Sequence, residues 1–257
     1  MHPNRPHLDG FNSISLDDLE NVSLLNRQDT KFVFHKSKLP LLLDSIKSSY
    51  RVLSIEGLNE FSYENTYFDT DDYLFYNQHH NEERNRYKVR FRKYSPSDDF
   101  YFEIKLKNNK DRTIKKRLKR EDSDTLNNHI FIKSESELVS DIIGISAEAL
   151  SPKLSIQFSR ITLADNSFTE RLTIDTGLRV KNEKDGVSFD WLVISEVKQM
   201  KYNPKSDYIK TLRSLKIPEM RFSKYCIGMV NIYNHIKYNR FKPKLLQIDK
   251  ILTQTQL

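Results

Sequence analysis

The sequence predicts an α+β fold: a closed antiparallel β-barrel of about eight strands, with helices packed outside it. Three observations carry that expectation. Stretch after stretch alternates charged and apolar residues with a period of two, as a strand with unlike faces does. Charges of both signs recur on the charged faces, and a Glu-x-Lys pair stands in two separate stretches, Glu103/Lys105 and Glu196/Lys198. Between strands run segments with apolar residues at helical spacing, fit to cover an apolar outer wall. A flat sheet with one solvated face has no use for the repeated Glu-x-Lys; a charged lumen does.

Composition narrows the function. The chain has 257 residues, 37% hydrophobic and 30% charged, with a formal net charge of +7. That is long enough for one polar globular domain and points to an anionic partner. A single cysteine, Cys226, excludes an intramolecular disulfide and a cysteine-based zinc cluster. With only six glycines there is no Walker loop, no dinucleotide fingerprint and no nucleophile elbow. Phosphate, if held, is held by side chains. The N-terminus lacks an apolar signal core and no run approaches a membrane span, so the chain reads as cytoplasmic.

Taken in order, residues 1–21 read as an arm and 22–240 as a single domain. The first strand, 25–36, puts Arg27, Asp29 and Lys31 on one face and Thr30, Phe32 and Phe34 on the other. Ser37 caps a helix running to about residue 49, with Leu41, Leu42 and Ile46 as its stripe. Short and long strands follow at 51–56 and 61–70, then a helical segment to 81. Residues 85–120 form a basic meander. Its first strand sets Arg86, Lys88, Arg90 and Arg92 against Tyr87, Val89 and Phe91. The second sets Glu103, Lys105 and Lys107 against Phe102, Ile104 and Leu106, and the third sets Lys115, Arg117 and Lys119 against Ile114 and Leu118. Residues 122–151 read as a helical insertion, a lid or an outer cover. Strands resume at 153–164, 169–178 and 189–198; Arg160 falls in phase with Leu154, Ile156 and Phe158, which marks a bulge or an arginine aimed inward. Helices at 206–215 and 223–236 close the domain, and 241–257 reads as a tail.

The basic meander is the strongest functional signal. Solvated faces ordinarily mix signs, because like charges opposite each other destabilise a strand pair. Cations at i and i+2 stand about 6.6 Å apart, which costs on the order of 2.5 kcal/mol per pair at an effective dielectric near 20. Such a face makes sense when an anion sits on it.

Ordered along the chain are Arg27-x-Asp29-x-Lys31, Tyr67-Phe68-Asp69-Thr70, Lys88-x-Arg90-x-Arg92, Glu103-Ile104-Lys105, Arg171-Leu172-Thr173-Ile174-Asp175, Glu196-Val197-Lys198 and Phe222-Ser223-Lys224-Tyr225-Cys226. This set resembles VTC domains, the polyphosphate polymerase branch of the triphosphate tunnel metalloenzymes (the CYTH-like superfamily), over about residues 22–236. The resemblance implies a closed tunnel lined by basic residues. It implies transfer of the ATP γ-phosphate to a growing polyphosphate chain with release of ADP and with help from Mn2+ or Mg2+. Residues implied to act on the reacting phosphates are Arg90, Arg92, Lys105, Arg160, Arg171 and Lys224. Lys31, Lys88, Lys115, Arg117, Lys198 and Arg221 are implied to hold the chain, and Glu196, with Glu103, to hold the metal. Hydrolytic relatives open with Glu-x-Glu-x-Lys; here Arg27 and Asp29 stand at the carboxylate positions, which weakens a second metal site and favours the polymerase branch. Two alternatives stay open: triphosphate hydrolysis in the same fold, and a non-catalytic module binding polyphosphate or RNA. Nucleic acid is the poorer partner, because Glu103 and Glu196 repel a phosphate backbone unless a cation intervenes.

Overall fold

Period-two alternation becomes strands and period-3.6 stripes become helices in the computed structural model, which describes residues 8–20, 27–110, 112–120 and 129–253. Eleven strands form: β1 (Asn12–Ile14), β2 (Gln28–His35), β3 (Tyr50–Leu53), β4 (Glu60–Asp69), β5 (Arg86–Ser95), β6 (Phe100–Lys107), β7 (Thr113–Arg120), β8 (Ser151–Asp165), β9 (Glu170–Lys181), β10 (Gly186–Phe189) and β11 (Leu192–Gln199). The helices are α1 (Leu16–Glu20), α2 (Leu39–Ile46), α3 (Leu74–His80), α4 (Lys133–Ile143), α5 (Asp207–Ser214), α6 (Lys224–Ile232) and α7 (Lys242–Thr253).

One sheet contains every strand. Its main path runs β2-β11-β9-β8-β4-β5-β6-β7, with neighbours antiparallel; β3 pairs with β8, β1 joins β3 in parallel, and β10 pairs with β9. The expected closed barrel is not what forms. Among the described residues no ladder joins β2 to β7, so the sheet is open. The free edge of β2 is already engaged: the Met220 N–H donates to the Lys31 carbonyl at 2.8 Å, and Glu219 bridges Phe32. Opposite it, β7 is exposed from Thr113 to Arg117, a cationic edge of the kind that resists further pairing.

The sheet nevertheless curls strongly. In a flat sheet β2 and β6 would stand six strand spacings apart, about 29 Å. Lys105 on β6 instead lies close enough to Lys31 on β2 and Glu196 on β11 to feel their charges. The result is a basin with an inner and an outer face.

Helices sort by face. On the outer face, α2 and α5 bury Leu42, Leu43, Ile46 and Leu212 against Phe32, Phe34, Leu163, Leu172 and Ile174. There too, α4 covers Phe68, Val89, Phe91, Phe102 and Ile104 with Val139. The segment expected as an insertion or lid is therefore an outer cover where it is described; residues 122–128 of it lie outside the described residues. A buried pair, Arg120 and Glu135, ties α4 to the end of β7 at 3.5 Å. By contrast, α6 lies on the inner face, where Tyr225, Ile227 and Met229 meet Tyr67, Leu154, Ile156 and Val180. The approach is close at Gly228: a Cβ there would stand 2.6 Å from the Leu154 side chain and 2.9 Å from that of Val180. The stretch expected as a tail contains α7, whose Ile248 is buried in the same cluster. The N-terminal arm docks over residues 8–20, with Ile14 and Leu19 buried against Leu53, Phe61 and Ala164.

Candidate active site

Ladder register decides which side chains share the basin. Directly paired residues face the same way, so the register places Asp29, Lys31, Lys198, Glu196, Arg171, Thr173 and Asp175 on the inner face of β2, β11 and β9. Arg160 and Thr162 continue it on β8, and Asn65 and Tyr67 on β4. Arg92, Arg90 and Lys88 extend it on β5, Glu103 and Lys105 on β6, and Lys115 and Arg117 on β7. Lys224 enters from the first turn of α6. Of the basic residues singled out in the sequence, the fold brings all but Arg221 to this one surface; Arg221 is exposed just ahead of α6, beside the engaged edge of β2.

Three carboxylate centres organise these cations. Glu103, almost fully buried, is gripped by Arg90 at 2.6 Å and by Lys115 at 2.5 Å, with Arg92 at 3.7 Å. Burial alone would raise its pKa; Arg90, Arg92 and Lys115 outweigh that and hold it at about 2. Arg90 also donates to the Tyr67 hydroxyl, and Arg92 to the Asn65 side-chain oxygen, so both guanidinium planes are fixed from two directions. Around Asp175 the pattern repeats. Arg160 forks onto both its oxygens at 2.6 and 2.8 Å, and Lys224 binds the second oxygen. Burial again opposes ionisation, and the Arg160 and Lys224 charges again win, with the carboxyl near 2. This role of Asp175 was ambiguous in the sequence; its register opposite Arg160 is the signal, and that appears only once strands pair.

The third centre differs. Glu196 binds Lys31 at 2.9 Å and Lys198 at 3.7 Å, and its carboxyl also hydrogen-bonds a second carboxyl, that of Asp29. Lost hydration and then the Glu196 charge raise the Asp29 pKa, so Asp29 carries the shared proton. Glu196 itself, despite burial, is held well below the usual range by Lys198 and Lys31. Beside Glu196 in the ladder, Thr173 Oγ1 is buried with no hydrogen-bond partner among the described residues. Two carboxyls and an orphaned hydroxyl fit a hard divalent cation that keeps further oxygens from its substrate. Glu103 does not join them: no group of three or more His, Cys, Asp or Glu side chains gathers at a metal-holding distance among the described residues.

Two lysines complete the electrostatics. Lys105 keeps contact with solvent but is walled in by protein; desolvation, with Lys88 and Lys31 nearby, lowers its pKa to about 8. Burial, with Arg160 and Arg171 near, brings Lys198 to about 8 as well, against the pull of Glu196. Lys88 reaches the start of α6, donating to Ser223 Oγ at 3.0 Å, while that oxygen caps the helix by accepting the Cys226 N–H. Asp69, conspicuous in the sequence, is structural. It accepts the Thr70, Phe75 and Tyr76 N–H groups and the Tyr225 hydroxyl, and so fixes the start of α3 and the seat of α6.

Comparison with known proteins agrees with the fold. A candidate adenylyl cyclase from Hippeastrum with dominant triphosphatase activity superposes with a TM-score of 0.52 at 13% identity, covering 79% of this chain and 95% of that one. A candidate adenylate cyclase from Bacillus halodurans gives 0.49 at 15% identity, over 77% and 96%. No curated protein matches in sequence. The VTC domain model matches residues 26–233, most of the chain. The chain therefore belongs to the VTC-domain family.

Proposed function

We propose that this protein is a metal-dependent polyphosphate polymerase, moving the γ-phosphate of ATP onto a polyphosphate chain held in the basin and releasing ADP. The observation that carries the proposal is the excess of fixed cations over carboxylates on one concave surface. Glu103 and Asp175 are already saturated by arginine and lysine, so Lys31, Lys88, Lys105, Lys198 and Arg171 are left to meet an incoming anion. Phosphoryl transfer is mostly positioning and charge stabilisation, which a preset ring of guanidinium and ammonium groups supplies without reorganising. Arg90, Arg92 and Arg160 fit bidentate contact with phosphate oxygens, each oriented by an acid behind it.

In this reading Glu196 and Asp29 hold Mn2+ or Mg2+, with Thr173 beside them, and Glu103 orients Arg90, Arg92 and Lys115 instead of binding metal. Bound there, the ion would draw charge from the transferring phosphate oxygens. No protein nucleophile is required, because the terminal phosphate of the chain can attack in line. Arg27 stands where hydrolytic relatives place a carboxylate and forms an ion pair with Asp29 at 3.1 Å, which favours synthesis over hydrolysis. The test is incubation of purified protein with ATP and Mn2+, with products separated by chain length. Long phosphate chains plus ADP support the reading. ADP with orthophosphate and no chains would make the protein a triphosphate hydrolase, and tight polyphosphate binding without turnover would make it a binding module.

A further inference from the structure

Both ends of the basin are filled. At one, Leu19 of α1 is fully buried against Phe61 and Ala164, which share the inner face with Arg160 and Arg171, their direct partners in the ladder. At the other, α6 lies on Leu154 and Val180 so closely that Gly228 has no room for a Cβ. A chain threaded end to end through the basin would have to displace one of these packed elements. The third boundary is the seam between β2 and β7, where no ladder forms among the described residues. Exposure follows that seam. The side chain is 41% exposed at Lys115 on β7 and 30% at Lys31 on β2, but falls to 11% at Arg92 and 16% at Arg160, on strands away from the edges. Water therefore reaches the cations from the side, and the depth of each cation tracks its distance from the open edges.

We propose that phosphate chains enter this site sideways, through the seam between β2 and β7, so that its substrates include chains with both ends blocked. The inference rests on the polyphosphate reading above and names the form of chain that site accepts. A site entered by threading takes only a free end. A site entered laterally binds an internal segment as readily, because the chain is laid in and no terminus has to pass a plug. Lys115 and Lys31 at the lips make the first contacts, and Arg92 and Arg160 receive the chain at depth.

The experiment uses the full-length protein and two forms of long-chain polyphosphate. One has free ends; the other carries biotin at both termini, each loaded with streptavidin. Competition against a fluorescent free-ended chain gives both affinities. Lateral entry predicts dissociation constants that agree within about threefold. Binding of the free-ended chain with loss of about 100-fold or more for the blocked chain would overturn the seam while leaving the proposed function standing. Failure of both chains to bind would overturn the proposed function and the seam with it. A Leu19→Asp variant, which loosens the α1 plug, gives an independent readout. Lateral entry predicts an unchanged association rate for the free-ended chain, and an increase of about tenfold or more would place the entry at that end instead.

Discussion

Glu103 and Asp175 share a basin with Asp29 and Glu196, yet the two sets of acids do different work. Each of the first two is an isolated carboxylate enclosed by basic side chains, with its pKa pressed to about 2. The others form a carboxyl pair that shares a proton, with Asp29 raised and Glu196 lowered. The difference teaches what an acid is for inside a cationic site. Enclosed singly, it neutralises part of the charge and locks arginine geometry. Paired with a second carboxyl, it leaves a demand for positive charge that a proton meets now and a divalent cation meets better.

That contrast can be broken most sharply at Asp175. Replacing it by Asn leaves Arg160 and Lys224 buried without their counter-charge, and removal of one partner from such a cluster costs about 3 kcal/mol or more. Denaturant unfolding should show that loss, whereas Asp29→Asn should unfold near the wild-type midpoint. The same depressed pKa values set the acid limit. Carboxyls held near 2 contribute stability that is complete above their unfolded values near 4 and is lost as pH falls toward 2. Acid unfolding followed by circular dichroism should fall in that window, and should shift toward neutrality in Asp175→Asn.

Next in size is Glu196→Gln, expected to lower turnover by about 100-fold with little change in melting temperature. A smaller effect comes from the walled-in lysines. Lys105 and Lys198 have pKa values lowered to about 8, so they are charged below that pH and lose their protons above it. Tripolyphosphate affinity, read by calorimetry, should be full at pH 7 and fall by about tenfold by pH 9.5, with net proton uptake on binding near pH 8. The smallest effect is at the rim, where Arg117→Ala removes an exposed cation stacked on Tyr101 at 4.8 Å and should weaken binding by less than about 1 kcal/mol.

Much of this arrangement is legible in the sequence, because a strand's two faces are written in its alternation. Arg86 to Lys93 and Phe102 to Lys107 show both faces directly, and the ladder preserves them. Arg160 is legible only as an anomaly, an arginine in phase with Leu154, Ile156 and Phe158. The structure explains it twice over: Arg160 does point inward, onto Asp175 and over the Phe158 ring, and the β8–β9 register shifts just before it, between Gln157 and Ser159. Closure of the barrel is not legible, because it is decided by Glu219 and Met220 taking the edge of β2 from nearly two hundred residues away. The pairing of Asp29 with Glu196 is non-local in the same sense. Residues 242–253 look like a tail because lysine and glutamine dominate them; the helix forms because Ile248 finds a site beside the α6 cluster.

The central claim is that Glu196 with Asp29 takes the divalent cation while Glu103 serves the arginines. Mn2+ titration in the presence of tripolyphosphate, followed by electron paramagnetic resonance on wild type, Glu196→Gln and Glu103→Gln, tests it most directly. The account predicts that Glu196→Gln weakens Mn2+ binding by about tenfold or more, while Glu103→Gln binds Mn2+ as the wild type does. Retained Mn2+ affinity in Glu196→Gln, with loss in Glu103→Gln, would contradict it.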